Sequence, residues 1–198
     1  PDPPELSAWG EERFATAKNS NAGAFALAET NDPVLSRCYP PGVPRVYFHP
    51  YPFEIVYTNT QMIMLYEYDH TIRRIFTDGR ESPEDPVALW LGNSIGHWEG
   101  DTLVVETVNF NDRTWIDRRG VPHSDQLRVV ERIRRSNEDE LTVDITVADP
   151  IAFTELWTSR KIFDKVDWSL EEFVCLDDSS YQEFERALLE YDGGSPKE

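Results

Sequence analysis

Turn signals decide the fold class of this 198-residue chain before any other feature does. Asn59-Thr60, Asp78-Gly79-Arg80, Trp98-Glu99-Gly100-Asp101 and Asn137-Glu138-Asp139 each lie between runs of β-branched and aromatic residues. Glycine supplies positive φ where a hairpin needs it, and short loops of this kind join antiparallel neighbours. The extended runs are Arg45–His49, Phe53–Thr58, Gln61–Tyr68, Thr71–Thr77, Val87–Leu91, Ser94–Trp98, Asp101–Val108, Gln126–Arg135, Glu140–Ala148, Glu155–Phe163 and Trp168–Val174. About nine or ten of these eleven runs are expected as strands joined mainly by short turns, the pattern of an antiparallel meander. Closure removes exposed edges, so the expected fold is all-β: a closed up-and-down barrel of lipocalin or calycin type.

Helical signals sit at the two ends. Leu6 to Lys18 reads as a helix with Ser7 as N-cap, and Ala22 to Glu29 as a shorter one that Asn31-Asp32-Pro33 breaks. Asp177 to Tyr191 places Phe184, Leu188 and Leu189 on one helical face, with Ser179 or Ser180 as cap. The organisation expected is one domain: a lead-in over 1–36, the barrel over 37–176, and a C-terminal helix and tail over 177–198.

Composition narrows the partners. Lys and Arg total 19 against 37 Asp and Glu, a net charge of −18 that repels phosphate backbones and anionic membranes. No apolar run approaches the roughly 20 residues of a membrane helix. Neither nucleic acid nor membrane is therefore an expected partner. Cys38 and Cys175 lie far apart and outside any CxxC pattern; two buried thiols and one disulfide both fit. The sequence begins at Pro1 without Met, which reads as a processed or trimmed N-terminus.

Strand alternation singles out the chemistry. Leu127, Val129, Glu131 and Ile133 share one face of their run, so Glu131 sits among aliphatic neighbours, and the same count puts Glu106 beside Thr102, Val104 and Val108. A carboxylate there needs a cation or holds its proton. The structural alternative is an ion pair with Arg73 or Arg74; the functional one is a general acid/base or a ligand anchor. Tyr66, Tyr68 and His70 share a face if their strand stays regular, and His70 is then a proton-shuttle candidate as well as a scaffold residue. The loop 109–125 carries Asp112, Arg113, Trp115 and His123 without an apolar period, as a lid over a barrel mouth does. His97 and Trp98 complete the ligand-wall candidates. The histidine spacings match no metal motif, and neither a GxSxG elbow nor a phosphate or dinucleotide loop is present, so no metal and no cofactor is expected.

Six strings carry a resemblance: PPGVPR at 40–45, PFEI at 52–55, YEYDHTIRRIFTDGR at 66–80, SIGHWEGDTLVVETVNFNDRTW at 94–115, PHSDQLRVVERIRR at 122–135 and the 149–161 stretch ending FTELWTSRK. Together they resemble a widespread group of uncharacterised exported bacterial proteins. The resemblance covers nearly all of 37–176. It implies a periplasmic or secreted protein whose export signal has been removed, and a disulfide between Cys38 and Cys175. Where that group commonly has Gly-His-Ser, this chain has Gly92-Asn93-Ser94.

Two functions follow from the residues. The favoured one is an acid/base enzyme, a lyase, hydratase, isomerase or cyclase acting on a small hydrophobic or aromatic molecule inside the barrel. His70, Glu131, Arg73, His123 and Asp112 would act on it, and Tyr66, Tyr68, His97, Trp98, Arg113 and Trp115 would hold it. The alternative is a non-catalytic carrier of a small apolar ligand, whose charges only orient it.

Overall fold

A computed structural model describes residues 4–19, 29–82 and 87–175. Eight strands form one sheet in sequence order: β1 Phe53–Tyr57, β2 Gln61–Tyr66, β3 Ile72–Phe76, β4 Asn93–Glu99, β5 Thr102–Val108, β6 Arg128–Asn137, β7 Glu140–Ala148 and β8 Trp157–Asp164. All neighbours are antiparallel except β3 and β4, which run parallel through Ile75↔Ser94 and Phe76↔Ile95. A parallel pair needs a crossover, and the chain between Thr77 and Gly92 provides it.

The sheet curls into a half-barrel rather than a closed cylinder. Among the described residues no ladder joins β1 to β8, and eight strands stand in place of the expected nine or ten. Three expected runs are not strands. Arg45–Phe48 is a 3-10 turn, Val87–Leu91 makes one bridge through Leu89 to Phe110, and Trp168–Val174 joins no β-ladder among the described residues.

The 3-10 turn fills the hollow: Val46 and Tyr47 are buried against the concave face. That face is Met62, Met64 and Tyr66 of β2, Ile75 of β3, Leu103 and Val105 of β5, Val129 and Ile133 of β6, and Val143, Ile145 and Val147 of β7. Along β2, β6 and much of β7 these positions alternate with half-buried or exposed ones, as a sheet with one wetter face requires, whereas Thr102–Val105 of β5 are buried throughout. Glu106 falls on the wet face, not among the aliphatics. It is exposed and bonded to Arg128 across the ladder, because Leu103, Val105 and Thr107 are the inward residues of β5.

Helix α1 spans Ala8–Phe14, shorter than expected, with the Ser7 side chain accepting from the Gly10 amide as its cap. A second helix, α2, spans Pro33–Arg37. Asp32 caps it and Pro33 opens it, so the segment that reads as a helix breaker is a helix start. The Asp32 carboxylate also takes both ends of the buried Arg45 guanidinium, at 2.9 and 2.6 Å. The expected Ala22–Glu29 and Asp177–Tyr191 helices lie outside the described residues, apart from Glu29 itself. Among those described, no helix is long and apolar enough to cross a membrane.

Candidate ligand groove

Glu131 and Arg73 meet inside the half-barrel. Arg73 Nη1 donates to Glu131 Oε1 at 2.8 Å and Nη2 to Oε2, while Tyr47, Ser94 and Thr107 hydroxyls accept the remaining N–H groups. Both side chains are fully buried. Burial alone would lower the guanidinium pKa, but the Glu131 charge outweighs it and holds Arg73 above its ordinary value. Burial and then the Glu131 charge push the Tyr47 phenol well up. The result is a saturated network in which neither Glu131 oxygen lacks a donor.

The other candidates lie elsewhere. Strand β2 ends at Tyr66, and positive φ at Asp69 and His70 breaks the alternation on which a shared face for Tyr66, Tyr68 and His70 depended. Tyr66 therefore points into the core with its hydroxyl on Met64 Sδ, Tyr68 is buried against His49, and His70 is exposed. His97 is exposed beside Glu99, and Trp98, also exposed, stands 6.1 Å from Tyr57 at one end of the sheet. Asp112, Arg113, Trp115 and His123 do come together, but against α1 and α2. None of them lines the opening of the half-barrel, so the 109–125 loop is not its lid. His123 is buried and lowered by that burial; its Nδ1 donates to the Ser124 carbonyl at 3.0 Å, which leaves Nε2 to accept from Thr114 Oγ1 at 2.7 Å.

The opening itself is a groove of about 990 Å³ between the unpaired edges β1 and β8. Tyr47 forms its floor, Phe53 and Ile55 one wall, and Leu141 and Phe163 the other. Phe53 and Phe163 touch edge to face at 4.9 Å, so side chains bridge the two edges where backbone does not. Residues 165–175 run past the mouth and contribute Val166, Trp168 and Leu170 to the lining. That strap is anchored three ways: the Glu171 amide donates to Glu67, Phe173 packs on Tyr51 and Tyr68, and Cys175 is bonded to Cys38. The disulfide that the resemblance implies is thus formed.

One polar group of the lining is unsatisfied. His49, 8% exposed and stacked 4.2 Å from Tyr68, has a buried Nε2 without a hydrogen-bond partner. Burial first, then the charges of Arg45 and Arg118, lower its pKa to about 3, so its ring is neutral at ordinary pH. Burial likewise pushes the Tyr68 phenol up to about 12. The groove therefore combines apolar, aromatic surface with one unsatisfied neutral nitrogen, and the charged residues Glu54, Arg135, Glu138, Asp139, Glu140, Lys161, Asp164 and Lys165 complete its lining, exposed or half-buried. Sequence reasoning missed Tyr47, His49, Phe53, Leu141, Phe163 and Trp168. Their signal was positional: they belong to the first and last strands of a meander and to what flanks them, where an unclosed sheet exposes its inner face.

Among the described residues, no three His, Cys, Asp or Glu side chains stand together as cation ligands. The chain matches no protein-family profile, no curated protein and no solved structure.

Proposed function

We propose that this chain is a non-catalytic binding protein that carries a small apolar or aromatic molecule in the groove between β1 and β8, as the cup of a lipocalin-like barrel does. The observation that carries the reading is the separation of the two expected halves of an active site. The apolar surface lies open at the groove, whereas Glu131 and Arg73 are locked to each other in the core and His70 faces solvent. An acid/base site favours an ionisable group sheltered beside the bound molecule. Here the charged residues of the lining, such as Glu54, Glu138, Lys161 and Asp164, are exposed or half-buried, and the one buried titratable ring with a free nitrogen, His49, is neutral. The work is assigned to an oxidising, extracytoplasmic compartment, which the Cys38–Cys175 bond and the resemblance to exported proteins both support.

Titration with N-phenyl-1-naphthylamine, a neutral apolar fluorophore, tests the proposal. Saturable binding with one site per chain is expected, and the probe should be recovered chemically unchanged. Trp168 is 63% exposed and holds no core contact, so Trp168→Ala should keep the fold and weaken the probe roughly five- to tenfold, the loss of one apolar wall. Unaltered affinity in a folded Trp168→Ala protein, or conversion of the probe, would remove the groove or the carrier reading respectively.

A further inference from the structure

The charged loop that the groove does not use builds a second cleft, of about 770 Å³, between α1, α2 and residues 112–123. Its charge is unlike that of the rest of the molecule. Arg13, Arg37 and Arg113 all line it, and Asp112 is the one carboxylate in the lining. Seven of the arginines elsewhere, Arg45, Arg73, Arg80, Arg119, Arg128, Arg132 and Arg160, each hold an Asp or Glu, while Arg74, Arg118, Arg134 and Arg135 stand singly rather than gathered around one cleft. The three cleft arginines hold none among the described residues, although acids outnumber bases 37 to 19 in the chain.

Aromatic rings take the place of carboxylates. Arg13 lies over Trp9 at 4.7 Å, Arg37 over Tyr39 at 6.0 Å and Arg113 over Trp90 at 6.0 Å. Tyr39 and Trp90 are themselves in contact at 4.5 Å, so the guanidiniums of Arg37 and Arg113 stand on adjoining platforms. A ring face orients a guanidinium without neutralising it and leaves its N–H fork free for an oxyanion. Trp115 adds a flat apolar wall beside them.

From this arrangement we infer that the cleft is a binding site for a small dianion, a dicarboxylate or a phosphate, held by Arg37 and Arg113 and completed by Arg13. Three cations against Asp112 leave two positive charges, which a dianion balances. The site stands apart from the apolar groove and does not depend on it. Asp112 acts against the ligand by repulsion and so sets an upper limit on its charge.

Calorimetric titration at low ionic strength with phthalate, inorganic phosphate and neutral phthalamide tests the inference on the intact chain. Phthalate or phosphate should bind and weaken at least tenfold when the salt is raised to 0.3 M, and phthalamide should give no heat. Binding of phthalate alone assigns the dicarboxylate; binding of phosphate as well assigns any small dianion. The Arg37→Gln/Arg113→Gln protein should lose at least tenfold in affinity, Asp112→Asn should gain two- to fivefold, and Arg134→Gln, an unpaired arginine on the wet face of β6, should change nothing. Protection of Arg37 and Arg113 from phenylglyoxal by either anion, read by peptide mass, gives the same answer on unmutated protein. Absence of binding by both anions, equal binding of phthalamide, or modification of both arginines at an unchanged rate would overturn the site.

Discussion

The half-barrel has two kinds of interior. Between β3 and β6 it is sealed and holds charge: Arg73 and Glu131 satisfy each other, and Tyr47, Ser94 and Thr107 take what remains. Between β1 and β8 it is open and buries no ion pair: Phe53, Leu141 and Phe163 face a groove whose one unsatisfied buried nitrogen is neutral and whose charges, among them Glu54, Glu138, Lys161 and Asp164, are exposed or half-buried. Desolvation explains the division. An ion pair survives burial only with every partner in place, so it belongs where the sheet is continuous; apolar surface tolerates an opening and gains from whatever covers it. The same side-chain types that suggest catalysis are therefore, here, part of the scaffold.

The largest way to disturb that division is to free the strap beside the open half. The Cys38–Cys175 bond closes a sequence separation of 137 residues, and replacing both cysteines by serine should cost roughly 4–5 kcal/mol in guanidinium unfolding. Probe affinity at the groove should fall with it, while a sealed pair of Arg73 and Glu131 stays intact. A loss under 1 kcal/mol would show that the strap is held by its aromatic contacts alone.

Breaking the sealed half comes next. Glu131→Ala leaves Arg73 charged and buried, a change worth roughly 3–5 kcal/mol, and an apolar replacement of both partners should recover much of it. Glu138→Gln, in the exposed β6–β7 turn, should stay under about 0.5 kcal/mol. Equal costs for the two single changes would mean that the core pair contributes nothing.

A smaller, pH-dependent effect sharpens the contrast from the open side. His49 has a folded pKa of about 3, below its value in the unfolded chain. As pH falls through the ordinary histidine range, near 6.5, the unfolded chain takes up a proton that the folded one refuses, so stability drops. About 2 kcal/mol should be gone at pH 5 from this group alone, and His49→Gln should flatten that part of the curve. The buried His123 acts in the same direction. Identical acid profiles for the two proteins would contradict a buried, neutral His49.

Hairpins were legible because their signals are local. The alternation from Gln126 to Ala148 and the turn at 137–139 give β7 to the residue and β6 within two residues at each end. Closure was not legible, because it depends on whether two strands a hundred residues apart can pair. The parallel β3–β4 step was hidden for the same reason. The strap at 168–174 has strand-like composition yet finds no ladder, and the Arg45–Phe48 turn shows tertiary burial overriding extended propensity. For the site, the interior position of Glu131 followed from strand parity, which left Arg73 and Arg74 both open as its partner. Its saturation did not, since Tyr47, Ser94 and Thr107 arrive from three separate segments. The cleft arginines Arg13 and Arg37 escaped notice because α1 and α2 carry no motif.

The most direct test is where a bound apolar molecule sits. Filtered nuclear Overhauser spectra of the complex with N-phenyl-1-naphthylamine should show contacts from its rings to Phe53, Phe163 and Trp168, with the probe unaltered over days. Contacts to Trp9, Tyr39 and Trp115 instead, with none to the groove, would contradict the account.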